Sequence, residues 1–339
     1  MWAAAALLLT GVGSGAWALG LLPGRSSCGG SSIPITIAAQ PEIAPALKDV
    51  ADRFNVEEHR VAGRCIDASV TSATPTRYMG DAAMRAKTHA WVPESSLWLD
   101  IIRDGGATTV PPAGTPVAAT PVVLATPRPV EAEFRDADLD IGWELLLKDK
   151  AGGLDLARFT ADPAMGMSGT IAMIAIGQIG DDEADDVADD VAGEFRDNAP
   201  GGPADESGAS TAVLAGLMGT ERYARPLAVT TEQAVVAYND THRPNPAVSL
   251  MPEEGTLLLD HPYVVTTKDQ SRRDAAEAFQ TALGSRSALD ILQQAGFRTP
   301  DGTLSPAYAG EHDLPEEAPP SLRIPTRKEI DAALTSWKA

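Results

Sequence analysis

Residues 33–54 constrain the fold most, because they combine a buried strand, a short polar turn and an amphipathic helix in immediate succession. Ile33, Ile35 and Ile37 alternate with the period of two that a β-strand requires. The turn 40–42 ends the strand, and apolar residues then recur at helical spacing from residue 43 to residue 54. In open α/β sheets, ligands bind where a strand ends and a helix begins, because free backbone N–H groups collect there. The segment therefore predicts an α/β protein with a candidate ligand edge.

The same plan recurs twice further along the chain. A second strand begins near Cys65 and ends at Thr71 and Ser72, and a third begins at Ala90 and runs into a polar turn at 93–96. Successive strand–turn–helix units predict a parallel sheet whose polar turns lie along one edge. Residues 115–124 form a longer strand that contains Pro121, which we expect at an edge or in a crossover rather than inside a sheet.

The first residues form an uncharged stretch, 2–22, that is long enough to cross about 30 Å of hydrocarbon as a helix. We predict that residues 1–24 are a transmembrane anchor, with the chain from about Arg25 onward outside the cell. A cleaved signal peptide is the first alternative, because Ala16-Trp-Ala18 has the small-x-small form of a cleavage site. A buried helix of the domain is the second.

Cys28 and Cys65 are the only cysteines of the chain. One precedes the first strand and the other begins the second, so the two lie at neighbouring strand starts if the strands are parallel. An exported chain favours oxidised cysteines. We therefore predict a Cys28–Cys65 disulfide, the alternative being two unrelated buried thiols.

The charge of the chain excludes several classes of partner. A formal net charge of −20 argues against nucleic acid and against anionic membrane surfaces. Part of this charge is concentrated at 181–190, where a calcium loop is one interpretation. The spaced ligands, the turn glycine and the final glutamate of an EF-hand are missing there, so we expect a solvated loop or helix face.

Several segments together carry a family resemblance that none carries singly: Pro41-Glu-Ile-Ala-Pro-Ala-Leu47, Val92-Pro-Glu-Ser-Ser-Leu-Trp-Leu99, Thr120-Pro-Val-Val-Leu-Ala125, Val229-Thr-Thr-Glu-Gln-Ala-Val-Val-Ala-Tyr-Asn239 and Ala295-Gly-Phe-Arg-Thr-Pro-Asp-Gly302. In order and spacing they resemble bacterial extracellular solute-binding proteins. More closely, the chain is similar to the actinobacterial, membrane-anchored type in which a von Willebrand factor A domain follows the substrate-binding domain. We expect that second domain to be lacking here.

The resemblance implies the type II periplasmic-binding-protein fold, an α/β fold with two lobes joined by two crossover strands, here preceded by one N-terminal apolar helix. The crossovers are expected at 115–124 and 246–251. Lobe one is then 33–117 plus 247–312, lobe two is 118–246, and 313–339 is a proline-rich, charged tail. The implied function is a cell-surface protein, anchored by a single membrane span with its binding domain outside the cell, that captures a small polar solute for transport or sensing. A transporter or another envelope protein is the implied partner.

Signatures of catalysis and of metal binding are weak. Gly166-Met-Ser-Gly-Thr170 approaches a nucleophile elbow, but threonine replaces the last glycine and no histidine lies in a matching context. The five histidines show no ligand spacing, and Asp67-Ala-Ser-Val-Thr71 only approaches a metal motif of the Asp-x-Ser-x-Ser form. We therefore predict that the chain is not an enzyme and needs no metal and no cofactor, a hydrolase using Ser168 being the outside alternative.

The predicted ligand site consists of polar residues at the strand-to-helix turns. Gln40, Ser72, Ser95 and Ser96 come from lobe one, and Ser168 and Thr231 from lobe two. Their amides, hydroxyls and nearby backbone N–H groups suit a polar or anionic small ligand, although each turn alone is equally explained by helix capping. A surface interaction or adhesion module, in which the same fold supports partner binding, is the alternative function.

Overall fold

The computed structural model describes residues 31–107, 109–179, 185–200, 209–218, 224–244 and 246–338. The strands, in chain order, are β1 (Ile33–Ala39), β2 (Arg60–Val61), β3 (Arg64–Ser72), β4 (Ala90–Val92), β5 (Thr115–Pro116), β6 (Thr120–Pro127), β7 (Lys150–Ala151), β8 (Leu154–Thr160), β9 (Arg225–Thr231), β10 (Ala247–Leu250), β11 (Leu258–Leu259) and β12 (Pro262–Val265).

The α-helices are α1 (Ala44–Val56), α2 (Pro75–Gly80), α3 (Ala82–Lys87), α4 (Leu97–Asp104), α5 (Arg128–Asp136), α6 (Met167–Ile179), α7 (Asp185–Asn198), α8 (Ala209–Leu217), α9 (Glu232–Thr241), α10 (Gln270–Leu283), α11 (Arg286–Gln294), α12 (Pro306–His312) and α13 (Arg327–Ser336). A 3-10 helix spans Trp143–Leu147.

The first sheet has the strand order β2-β3-β1-β4-β12-β5. Its central strand β1 pairs in parallel with β3 and β4, as the repeated strand–turn–helix units predict. The isoleucines of β1 are at most 2 % exposed and pack with Leu47 and Phe54 of α1. Burial of this apolar stripe explains why residues 33–54 fold as one strand–helix unit. We call this sheet and the helices packed on it the first lobe.

The second sheet has the order β10-β6-β9-β8-β7, with β11 also paired to β6. Strands β8 and β9 are parallel, while β6 runs antiparallel to β9 and to β10. Helix α6 packs on this sheet, and Ile330 and Ala333 of α13 are buried against the same core. We call this sheet and the helices packed on it the second lobe. Two mixed sheets in one chain confirm the predicted two-lobed α/β architecture.

Pro121 lies in a strand that is central in its sheet, but at a point where that strand has a single neighbour. Its strand β6 lies inside the second sheet, between β9 on one side and β10 and β11 on the other. The ladder with β9 begins only at Val122, so Pro121 itself pairs with Leu258 of β11 alone. At that point the strand has one neighbour, and the N–H that proline lacks is not needed for the β9 ladder.

The chain passes between the two sheets twice. It leaves the first sheet after β5 and enters the second at β6, and the connecting residues Val117, Ala118 and Ala119 are all buried. It returns after β11, since β12 pairs with β4 of the first sheet. Strands β10 and β11 both pair with β6, so they belong to the second sheet although they follow residue 246. The proposed lobe boundaries remain a proposal.

Two predictions about export concern the start of the chain. Residues 1–24, the predicted anchor, lie outside the described residues. Among the helices that the structure does describe, none has the length and hydropathy needed to cross a membrane. Cys65 is buried and is not a free thiol, whereas Cys28 also lies outside the described residues. The pairing of the two cysteines therefore stays a prediction.

Candidate functional site

A small cavity of about 10 Å³ lies where the two lobes meet, with room for roughly one water molecule. The first lobe contributes Glu42 and Glu94, and the second lobe contributes Ser210, Thr231 and Gln233. Thr120 of β6 and His261, in the connection between β11 and β12, complete the polar lining. The lobes are therefore closed on each other, with polar groups from both facing the space between them.

Glu94 lies in the turn between β4 and α4 and is only 3 % exposed. Its Oε1 accepts a hydrogen bond from the indole Nε1–H of Trp98 at 3.0 Å. The same oxygen accepts a hydrogen bond from the backbone N–H of Met167, the first residue of α6 in the second lobe. A carboxylate at a helix start satisfies a free N–H and complements the positive helix end. Glu94 thus joins the two lobes.

Glu42 repeats this arrangement from the turn between β1 and α1. Its Oε1 accepts a hydrogen bond from the backbone N–H of Ser210 at 3.2 Å. Ser210 is the second residue of α8, again in the second lobe. Two carboxylates of the first lobe therefore cap two helices of the second.

The two carboxyl groups perturb each other. Burial, and after it the nearby Glu42 carboxylate, raises the pKa of Glu94 to about 8. Burial also raises the pKa of Glu42, although its hydrogen bonds and the nearby Gln40 amide counteract part of that effect. Burial lowers the pKa of His261 to about 3, so its ring is neutral near pH 7. No lysine or arginine is among the described residues that line the cavity.

Several buried polar atoms around the cavity have no hydrogen-bond partner among the described residues. They are Oε2 of Glu42, Oε1 of Gln233, Nδ1 of His261 and both side-chain amide atoms of Gln40. Leaving such a group unsatisfied costs about 1–3 kcal/mol. A site that concentrates several of these groups is suited to a ligand or to ordered water.

Three of the six predicted site residues, Thr231, Ser168 and Gln40, are buried at or beside the cavity. Thr231 lines the cavity, and its hydroxyl also caps α9 by accepting the N–H of Ala234 at 3.2 Å. Ser168 is fully buried beside the lining, with its Oγ 2.9 Å from Oγ of Ser210. Gln40 is fully buried at the end of β1.

The remaining three predicted residues lie away from the cavity lining. The hydroxyl of Ser95 accepts the N–H of Leu97 at 3.3 Å. The backbone N–H of Ser96 is 2.7 Å from Asp260 Oδ1, and the Ser96 hydroxyl bonds the other oxygen of that carboxylate. Ser72 ends β3 and is partly exposed.

Glu42, Glu94, Ser210, Gln233 and His261 were not predicted from the sequence. A signal did exist for the first two, because Pro41-Glu42 and Pro93-Glu94 follow the first and third strands in the same way. Each glutamate directly follows a proline, three residues after the end of β1 in the first unit and two residues after the end of β4 in the third. The repeated Pro-Glu pair indicates that the two glutamates lie in similar turns of the first and third strand–turn–helix units.

Comparison with known proteins agrees with this geometry. Residues 35–298 match the family model described as bacterial extracellular solute-binding protein. The chain belongs to this family. Solute-binding proteins of this kind are not enzymes, and the comparisons give no support to the adhesion alternative. No curated protein sequence matches the chain significantly.

Solved structures similar to this solute-binding protein share its fold. A periplasmic thiamin binding protein aligns with a TM-score of 0.61 at 11% identity, over 94% of this chain and 98% of that one. The iron and citrate complex of the Trichodesmium protein IdiA (FutA) gives 0.58 at 11% identity, over 90% and 98%. The sulfate-binding protein SubI from Mycobacterium tuberculosis H37Rv gives 0.52 at 18% identity, over 91% and 97%. Identities this low show the fold alone, and they confirm the periplasmic-binding-protein architecture.

Proposed function

We propose that this protein captures a small polar solute between its lobes and presents it to a transporter or a sensing partner. The observation that carries the proposal is the interlobe cavity, where buried atoms of Glu42, Gln233 and His261 lack partners among the described residues. A solute that contacts both lobes favours the closed state by its differential affinity for that state. Closure of this kind is a signal that a partner protein can detect.

We assign the solute contacts to residues of both lobes. Thr231, Gln40 and Ser168 retain the role predicted from the sequence, and Glu42, Glu94 and Gln233 are added to them. For Ser72, Ser95 and Ser96 we propose supporting roles in the turns that hold the first lobe's side of the site. The short contacts of Ser96 with Asp260 support such a positioning role.

The cellular setting is part of the same proposal. We propose an exported binding domain held at the cell membrane by residues 1–24, in the manner of the actinobacterial type with a von Willebrand factor A domain. The uncharged stretch 2–22 supports the anchor, and the order of the sequence motifs supports the subtype. A buried Cys65 that is not a free thiol supports the disulfide with Cys28.

A ligand screen by thermal unfolding tests the binding function. A solute present at a hundred times its dissociation constant adds about 2.7 kcal/mol to the free energy of unfolding. We expect one chemical class among amines, amino acids, sugars and oxyanions to raise the melting temperature, and Thr231→Ala with Gln233→Ala to remove the effect. Thr241→Ala, at the exposed C-terminal end of α9, is the matched control. A screen in which no class stabilises the protein contradicts the proposal.

A further inference from the structure

We infer that the solute is a small organic cation with N–H donors, such as a primary amine or a guanidine, whose charged end lies between Glu42 and Glu94. This inference rests on the proposed function and narrows it to one chemical class. It departs from the sequence-based expectation of a polar or anionic ligand, because the cavity shows which charges the chain itself supplies.

Two of the unpartnered atoms that line the cavity are hydrogen-bond acceptors. Oε2 of Glu42 has no partner among the described residues, and neither does Oε1 of Gln233, a side chain that is 4 % exposed. The amide orientation of Gln233 is fixed by its other atom, because Nε2 donates to the carbonyl of Ala295 at 3.0 Å. The unpartnered atom is therefore the oxygen. A ligand that donates hydrogen bonds satisfies both groups, whereas an anion adds further acceptors.

The helix starts that commonly hold an anion are already occupied. Met167 at the start of α6 donates its N–H to Glu94, and Ser210 at the start of α8 donates its N–H to Glu42. An anionic solute has to displace a carboxylate from each helix and then lie beside it. Like charges at that distance, in a site removed from water, repel strongly.

Arg298, the buried arginine that follows Phe297 of the cavity lining, is not available to balance the two carboxyl groups. Arg298 is 1 % exposed and pairs with Glu232 through two hydrogen bonds of 2.7 and 2.8 Å. Its remaining N–H groups donate to the carbonyls of Gly302, Glu316 and Pro315. Buried carboxylates without a counter-charge bind either a proton or a cationic ligand. Near pH 7 a proton on Glu94 takes the place of the missing cation, and a cationic ligand between the two glutamates replaces that proton.

The size of the cavity agrees with a single charged nitrogen. A space of about 10 Å³ holds one group the size of a water molecule, and an ammonium nitrogen is of that size. The rest of a larger amine enters only when the lobes are further apart. The inference therefore concerns the charged end of the solute.

The experiment titrates the whole chain with a defined set of probes by calorimetry. Methylammonium, putrescine and agmatine carry N–H donors on a cation, choline carries the charge without N–H, and sulfate and glucose represent anionic and neutral solutes. We expect at least one of the three N–H cations to bind and choline to bind at least tenfold more weakly. Sulfate and glucose are expected not to bind.

Two isosteric variants test the carboxylates. We expect Glu42→Gln and Glu94→Gln each to weaken binding of the amine at least tenfold, while Glu311→Gln, an exposed carboxylate on α12, stays within twofold of the parent. Using both variants keeps the test valid if one of them folds poorly.

The outcomes distinguish this inference from the proposed function. Binding of sulfate or glucose that is unchanged in Glu42→Gln and Glu94→Gln overturns the cation inference and leaves solute binding intact. Choline binding as tightly as the amines overturns the requirement for N–H donors. If no probe binds and the wider screen also finds no ligand, the proposed function itself fails.

Discussion

Arg298 and Glu232 form an ion pair in which both side chains are completely buried. The guanidinium Nε and Nη2 atoms lie 2.7 and 2.8 Å from the two carboxylate oxygens. Glu232 opens α9 in the second lobe, and Arg298 follows α11 on the first lobe. The pair therefore fastens the two lobes beside the cavity, on the side where the chain passes between the sheets.

We expect Arg298→Met to lower the free energy of unfolding by about 3–5 kcal/mol, because it leaves the Glu232 carboxylate buried without a counter-charge. Urea denaturation measures the effect. The double variant Arg298→Met with Glu232→Leu removes both charges and is expected to lose less than the single variant. A loss below 1 kcal/mol for Arg298→Met would show that the pair has no such role.

Stability should depend on pH through Glu94, whose pKa is raised from 4.5 to about 8 by burial and by the Glu42 carboxylate. Between these two values the folded protein holds a proton that the unfolded chain has lost. Stability therefore falls as pH rises across this window, by at most about 1.4 kcal/mol per pH unit for this group. The pKa of Glu42 is raised too, so it acts in the same direction. His261 opposes both groups below about pH 6.5, because its buried ring stays neutral while the histidine of the unfolded chain takes up a proton.

Urea midpoints measured from pH 7 to pH 8.5, above the range in which His261 opposes Glu94, check this slope in the parent and in Glu94→Gln, which does not titrate and should show a flatter profile. Glu311→Gln should keep the parental slope. Equal slopes in Glu94→Gln and the parent would contradict the assignment.

Gly169, in the first turn of α6, has no room for a side chain. A Cβ there would lie 2.1 Å from the carbonyl oxygen of Ala161 and 2.9 Å from the nitrogen of Pro163. We expect Gly169→Ala to destabilise the protein by about 1–3 kcal/mol, since the start of α6 has to shift. Gly177 lies in the same helix with open space around it, so Gly177→Ala should be neutral or stabilising. Thermal unfolding compares the two, and equal melting temperatures would exclude the steric effect.

The predicted Cys28–Cys65 disulfide should stabilise the exported protein by about 3–4 kcal/mol, as expected for a loop of this length. Mass spectrometry of unreduced peptides should recover the two cysteines linked. Cys65→Ala, measured with and without reductant, provides the stability difference. Two cysteines that react freely with an alkylating reagent in the native protein would contradict the pairing.

The first strand–turn–helix unit was predictable because its information is local. The alternating isoleucines and the helical apolar stripe lie within residues 33–54 and are buried in the same core, so short-range periodicity alone reveals both. The roles of Glu42 and Glu94 were not predictable in this way, since a glutamate in a turn ordinarily faces water or caps its own helix. Their partners Ser210 and Met167 lie in the other lobe, 168 and 73 residues away.

A long-range hydrogen bond also explains why the role of Ser96 could not be predicted from the sequence. Ser96 lies in a turn suited to a ligand, yet its N–H and hydroxyl both bond Asp260, a residue 164 positions further along the chain. The position of Pro121 depended in the same way on where the ladder with β9 begins. Local sequence patterns determine where the strands and helices form. The hydrogen-bond partners of the polar residues in the turns depend on the tertiary structure.

The small closed cavity has a kinetic consequence. On the proposed function, a solute held there leaves when the lobes separate, so its residence time depends on how often the protein opens. Opening breaks the hydrogen bonds of Met167 with Glu94 and of Ser210 with Glu42. The hydrogen bonds of these two glutamates therefore contribute to the rate of opening. That rate sets the lifetime of the solute-bound form that a partner protein can recognise.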